Sequence, residues 1–136
     1  AMYKNILVPI APDHGANTAA ALEAARLLAG SDGRITALTV AEAIPGYVVQ
    51  QLPEGLLEHT HDEMLAALKA DLGGVKDIKA EVVTGHAGRA ITDYADQHGA
   101  DCIVIASHRP GLQDYFLGST AARVVRHAAC TVVVIR

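Results

Sequence analysis

Tryptophan is absent and phenylalanine occurs once among 136 residues, so that with four tyrosines the aromatics make up only 4% of the chain. Apolar residues are nevertheless 51% of it, which requires an aliphatic core of Ala, Val, Ile and Leu between layers of sheet and helix. No run of about 18 apolar residues occurs and no signal peptide is visible, so membrane insertion is not expected and the cytoplasm is the default compartment. Basic residues are also outnumbered: 11 Lys and Arg against 15 Asp and Glu leave a net charge of −4, with no general drive toward nucleic acid or anionic membrane. The two cysteines, Cys102 and Cys130, lie in or beside apolar β-branched runs, where a small buried thiol is the expected role rather than a disulfide or a nucleophile. Neither Gly-x-x-x-x-Gly-Lys-Ser/Thr nor Gly-x-Gly-x-x-Gly is present, which excludes a P-loop or dinucleotide-binding Rossmann domain by motif. Repeats, linkers and low-complexity tracts are missing as well. Residues 1–136 therefore read as one domain, long enough for a substantial core.

What the chain does contain is an alternation of short apolar runs and helical periods. Lys4 to Ile10 is nearly continuous in apolar residues, as a central parallel strand should be. Asn17 or Thr18 can cap an alanine-rich helix to Ala29, ended by Gly30. Arg34 to Ala41 reads as a second strand. Ala43 to Gly55, with Pro45, Gly46 and Pro53, is a long segment suited either to a binding loop or to covering a helix end. A helix over Leu56–Leu72 puts Leu57, Met64, Leu65 and Leu68 on one face. His59 and His61, two apart, do not share a helix face, so metal ligation there is not expected. Ile78 to Thr84 alternates as an edge strand, and a helix over Arg89–His98 turns Ile91, Tyr94 and Ala95 inward before Gly99 ends it.

Residues 101–136 carry a strand, loop, helix and strand without interruption. Cys102 to Ala106 suits a strand buried on both faces, and Thr131 to Ile135 another. Between them Ala121, Val124, Val125 and Ala128 fall at i, i+3, i+4 and i+7 of a helix whose late cations, Arg123, Arg126 and His127, favour its C-terminal end. Gly118-Ser119-Thr120 opens that helix. Either it is an ordinary cap with a joint before it, or Gly118 lets an anion approach free first-turn N–H groups while Ser119 or Thr120 adds a hydrogen bond. Five strands alternating with helices imply a parallel three-layer α/β fold with right-handed crossovers.

Several of these segments resemble the universal stress protein family, most of all its F-type branch. They are Ala106-Ser107-His108-Arg109-Pro110-Gly111, Tyr115-Phe116-Leu117-Gly118-Ser119-Thr120-Ala121-Ala122, Val125-Arg126-His127-Ala128 and the Val132-Val133-Val134 strand. Met2 to Ile10 and Leu38-Thr39-Val40 extend the likeness to nearly the whole chain. The resemblance implies a flavodoxin-like, adenine nucleotide alpha hydrolase-like fold with strand order 3-2-1-4-5. It also implies ATP, with or without Mg2+, bound by Pro9, Ile10, Val40 and Ile105 about the base and by Ser107, His108, Arg109, Gly118, Ser119 and Thr120 about the phosphates. Where the family pattern has Gly-x-x-Gly, nine residues and Gly-Ser/Thr, this chain has Ala106 and Arg109 for the glycines and one residue fewer before Gly118. Arg109 can supply a charge-assisted phosphate contact or be a surface arginine beside a turn proline. Ala11 stands where the family has an aspartate, with Asp13 two residues on.

Two functional classes follow. One is an ATP-binding regulatory or sensor protein; the other is a nucleotide-free dimeric interaction protein of the same fold. No assembled general base or catalytic lysine is evident, so hydrolysis should be absent or slow and the chain is not expected to be an enzyme. The apolar edge 131–136 is expected to pair with its copy in a homodimer, the family's arrangement, and a regulatory protein partner of unknown identity completes the expectation.

Overall fold

The computed structural model describes residues 3–11, 18–42, 46–73, 77–106 and 118–136. Five strands, β1 (Asn5–Pro9), β2 (Arg34–Glu42), β3 (Ile78–Gly85), β4 (Cys102–Ala106) and β5 (Thr131–Ile135), form one sheet in the order β3-β2-β1-β4-β5. Every pairing is parallel. The helices are α1 (Thr18–Ala29), α2 (Gly46–Val49), α3 (Leu56–Asp71), α4 (Ala87–His98) and α5 (Ser119–His127). The expected strand order and all five expected strands are present, with ends moved by a residue or two.

The near-continuous apolar strands arise because both sheet faces are covered. Ile6, Val8, Ile35, Ala37, Cys102 and Val104 join one core with Ala21, Ala25 and Ala29 of α1 and with Leu68 of α3 and Leu72 just beyond it. Leu7, Leu38, Ile103 and Ile105 join the other with Ile91, Tyr94 and Ala95 of α4 and Ala121 and Val124 of α5. Alanines at every fourth position let α1 lie close on the sheet. At roughly 1.5–3 kcal/mol for each fully buried aliphatic side chain, these two layers supply the driving force that few aromatics could have given.

Three local readings are corrected. The 43–55 segment is not wholly irregular, since α2 turns helically over Gly46–Val49 with Tyr47 72% exposed; residues 43–45 lie outside the described ones. Leu57 is not on the packed face: residues 53–60 are exposed throughout, and α3 meets the core only from Met64 onward. Val125 is 46% exposed although it lies one helical turn after Ala121, which is 2% exposed. Arg123 lies on the α4 side, where its Cδ comes 2.6 Å from the Cβ position of Gly88. Two residues further, about 200° around the helix, Val125 points away from α4.

The amino edge of the sheet is fastened by one carboxylate. Asp101 Oδ2 accepts from the Lys4 amide at 2.8 Å and Oδ1 from the Asn5 amide at 3.0 Å, while its own N–H donates to the Asn5 carbonyl at 2.9 Å. Asn5 Nδ2 adds a bond to the His98 carbonyl at 2.8 Å. The start of β1 is thus locked to the start of β4 by contacts between residues 96 and 97 positions apart.

Candidate functional site

Three ladders shape the opposite, carboxyl edge. β1 stays paired to β2 through Pro9↔Leu38, and the Ile10 amide then donates to the Leu38 carbonyl at 2.8 Å. β4 stays paired to β5 from Cys102↔Thr131 through Ala106↔Ile135. Between β1 and β4 only Ile6↔Cys102 and Leu7↔Ile103 pair. Past Leu7 and Ile103 the two central strands part, each held by its outer neighbour, and the sheet splits at its carboxyl end. The chain order explains the location. β1, β2 and β3 are laid down in one direction with α1 and α3 on one face, and the chain then crosses to β4 and β5 with α4 and α5 on the other. Ligands of such sheets enter at this reversal.

The apolar candidates line the split mainly with backbone. Ile10, Val40 and Ile105 are 4%, 7% and 4% exposed, because the Ile10 side chain belongs to the α1 core and those of Val40 and Ile105 to the α4–α5 core. Pro9 is half-buried. With their side chains buried in the two cores, Ile10, Val40 and Ile105 have mainly their main chain left to offer at this edge. Ser107, His108 and Arg109, together with Asp13, lie outside the described residues. Ala11 is exposed as the chain leaves the sheet.

Helix α5 runs back from the carboxyl edge, as a right-handed crossover requires, so its first turn sits at the same edge as the split. Gly118 is its N-cap, at φ −61° and ψ 155°, and no side chain among the described residues caps the helix. Neither Ser119 nor Thr120 is the cap; they occupy the first two helical positions, exposed and half-buried respectively. The Gly118 carbonyl accepts from the Ala122 amide at 2.8 Å, which leaves the first-turn N–H groups directed outward, the arrangement that binds anions.

One residue at this edge was not singled out from sequence. Thr39 is 3% exposed, and its Oγ1 donates to the Ile10 carbonyl at 3.1 Å. The signal was available: a hydroxyl inside the buried run of β2 needs a partner. The cysteines have no part in the site. Burial pushes the Cys102 thiol up to about 11, with the neighbouring Cys130 and Asp101 adding to it, and burial likewise raises Cys130. Cys102 belongs to the α1 core while Cys130 packs against the other, so the two thiols face opposite sides of the sheet and remain free. On α3, His59 pairs with Glu63 at 2.8 Å in the open. Among the described residues no group of three or more His, Cys, Asp or Glu could hold a metal, and no helix is long and apolar enough to cross a membrane.

A doubly wound parallel sheet, split at its point of reversal with an uncapped helix start at the same edge, defines a flavodoxin-like, adenine nucleotide alpha hydrolase-like α/β protein. The model of the universal stress protein family matches residues 2–136, and the chain belongs to that family. Universal stress protein G of Escherichia coli O157:H7 is 31% identical over 145 residues, covering 99% of this chain and 100% of that protein. Universal stress protein UspA from Lactobacillus plantarum is 32% identical with a TM-score of 0.71, over 100% of this chain and 99% of that one. A universal stress protein solved in complex with cAMP shares the fold at 22% identity and a TM-score of 0.63, over 100% and 98% of the two chains.

Proposed function

We propose that this universal stress protein is an ATP-binding regulatory protein that acts as a sensor in the stress response. The observation that carries the reading is the split between β1 and β4 beside the uncapped start of α5. The base would lie against Pro9, Ile10, Ile105 and the Val40 main chain, and the phosphates at Gly118, Ser119 and Thr120, with Ser107, His108 and Arg109 completing their seat. Mg2+ would enter as the counter-ion of the triphosphate. A relative of the same fold holds cAMP, also an adenine nucleotide, which supports this ligand class. Binding without rapid turnover makes the protein a switch, because ATP must then favour one conformation over another. Turnover above about one per second would overturn the non-enzymatic part of this reading.

The two sheet edges differ in a way that supports a homodimer. β3 carries the ion pair Lys79–Glu81 at 3.2 Å, a charged edge that discourages strand addition. β5 presents Thr131-Val132-Val133-Val134-Ile135 without a charge, its valines only half-buried. Antiparallel pairing of residues 131–136 across a two-fold axis would cover it. A stable monomer by sedimentation at micromolar concentration would remove the dimer.

The direct test is to heat-denature purified protein, identify released nucleotide by mass spectrometry, and titrate Mg·ATP into nucleotide-free protein by calorimetry. Co-purified ATP or saturable micromolar binding is the expected result. A folded protein with neither would favour a second reading, the nucleotide-free interaction protein, for which Ala11 in place of the family aspartate is the specific observation.

A further inference from the structure

We infer that Thr39 is a positioning residue for the base-binding wall, one that sets the spacing between the ends of β1 and β2. The inference rests on the adenine-nucleotide reading. The β1–β2 ladder closes with the Ile10 amide on Leu38, and the next backbone group after β1, the Ile10 carbonyl, is taken by the Thr39 hydroxyl at 3.1 Å. In the proposed site the base would lie against Ile10 and the Val40 main chain among others, and Thr39 immediately precedes Val40. One side-chain bond therefore ties the last buried turn of one wall to the other.

Two features make the bond more than a satisfied core hydroxyl. It lies at the height where β1 has already left β4, since the β1–β4 pairing ends at Leu7↔Ile103. From there on, among the described residues, β1 pairs in the sheet with β2 alone, and Thr39 adds a side-chain brace on that side. It is also the last hold before Ala11, which is exposed where the chain leaves the sheet. Losing the brace frees the Ile10 carbonyl to turn, and with it the edge that a purine would meet. A buried carbonyl without a partner is unfavourable, so it would turn toward the split or draw water there. Either change alters the wall for the base and leaves the phosphate seat on α5, which belongs to another strand pair, as it was.

The test compares Thr39→Val, of the same shape without the hydroxyl, and Thr39→Ser, which keeps it, by calorimetric titration with ATP, GTP and inorganic tripolyphosphate, alongside thermal unfolding without ligand. Thr39→Val should bind ATP about tenfold more weakly, the order of one lost neutral hydrogen bond. It should also discriminate less between ATP and GTP and bind tripolyphosphate as the parent does. Thr39→Ser should restore both affinity and discrimination. Parental ATP affinity in folded Thr39→Val, or an equal loss for ATP and tripolyphosphate, overturns the inference while leaving the nucleotide reading intact. Should Thr39→Val fail to fold, loss of ATP/GTP discrimination in folded Thr39→Ser overturns it, and parental discrimination there supports it. A parent protein that binds no nucleotide overturns the ATP reading and this inference together.

Discussion

Replacing Gly118 by valine separates the proposed phosphate seat from the fold. Gly118 sits in the extended region, at φ −61° and ψ 155°, where a β-branched residue is comfortable, so the backbone itself does not demand glycine. The Ala122 amide bonds the Gly118 carbonyl, a contact that any residue provides, and there is no side-chain cap to lose. The stability loss should therefore be limited to the poorer N-cap preference of valine, about 1 kcal/mol or less. For a chain of 136 residues, that is a fall in Tm of roughly 3–4 °C at most. Phosphate is affected much more. Branched carbons at the cap stand between an anion and the first-turn N–H groups, and excluding two charge-assisted bonds at about 1.5 kcal/mol each weakens ATP about 100-fold. Calorimetric titration of Mg·ATP gives the affinity, differential scanning calorimetry the Tm, and adenosine, without phosphates, serves as the control that should bind as before. ATP binding within about threefold of the parent, in a protein of normal Tm, would show that the phosphates lie elsewhere.

Asp101→Ala removes two backbone hydrogen bonds to a carboxylate at the partly exposed amino edge. It should lower unfolding free energy by about 1–3 kcal/mol, read as a reduced denaturant midpoint at unchanged slope, with ATP affinity preserved. Gly33→Ala places a Cβ 2.7 Å from the Ala29 carbonyl oxygen and 2.8 Å from its Cα, so the turn after α1 must shift, at a cost of about 1–3 kcal/mol by the same measurement. Cys102 makes stability depend on alkaline pH. Its thiol pKa rises from 9.0 when free to about 11 when folded, so the folded state keeps a proton that the unfolded chain has released. That contribution is complete below pH 9 and disappears as pH rises toward 11, a loss of about 2–3 kcal/mol. Cys102→Ala, though weaker at neutral pH, should lose correspondingly less stability between pH 9 and 11.

The architecture was legible because both of its determinants are written in short range. Buried parallel strands need continuous apolar runs such as Ile6-Leu7-Val8 and Cys102 to Ile105, and these leave little room for another reading. Helix faces were less secure. Val125 has nearly the phase of Ala121 but not its burial, because phase does not say where a sheet ends; only the position of α5 over the edge strand does. Leu57 has the phase of Met64, but the first turns of α3 lie beyond the core. At the site, Gly118 as the opening of α5 was visible from composition, whereas the absence of a Ser119 or Thr120 cap depends on dihedral angles that several sequences share. The partners of Thr39 and Asp101 were not legible for a common reason. Each acts on a main-chain group of β1, 29 or 96 residues away, and a hydroxyl or carboxylate in sequence does not name so distant a partner.

The central place of β1 also governs when the molecule can come into being. It is made first, yet one of its two neighbours, β4, arrives about a hundred residues later and is fixed by a carboxylate 97 positions from Lys4. A growing chain that stops short of Cys102 has β1 and β2 side by side with Ile6, Leu7 and Val8 along an open flank, able to pair with any passing strand. Closing that flank is a long-range event of the kind that slows folding. The crevice beside it cannot exist beforehand, so any ligand of the crevice could meet only chains whose synthesis has passed the fourth strand.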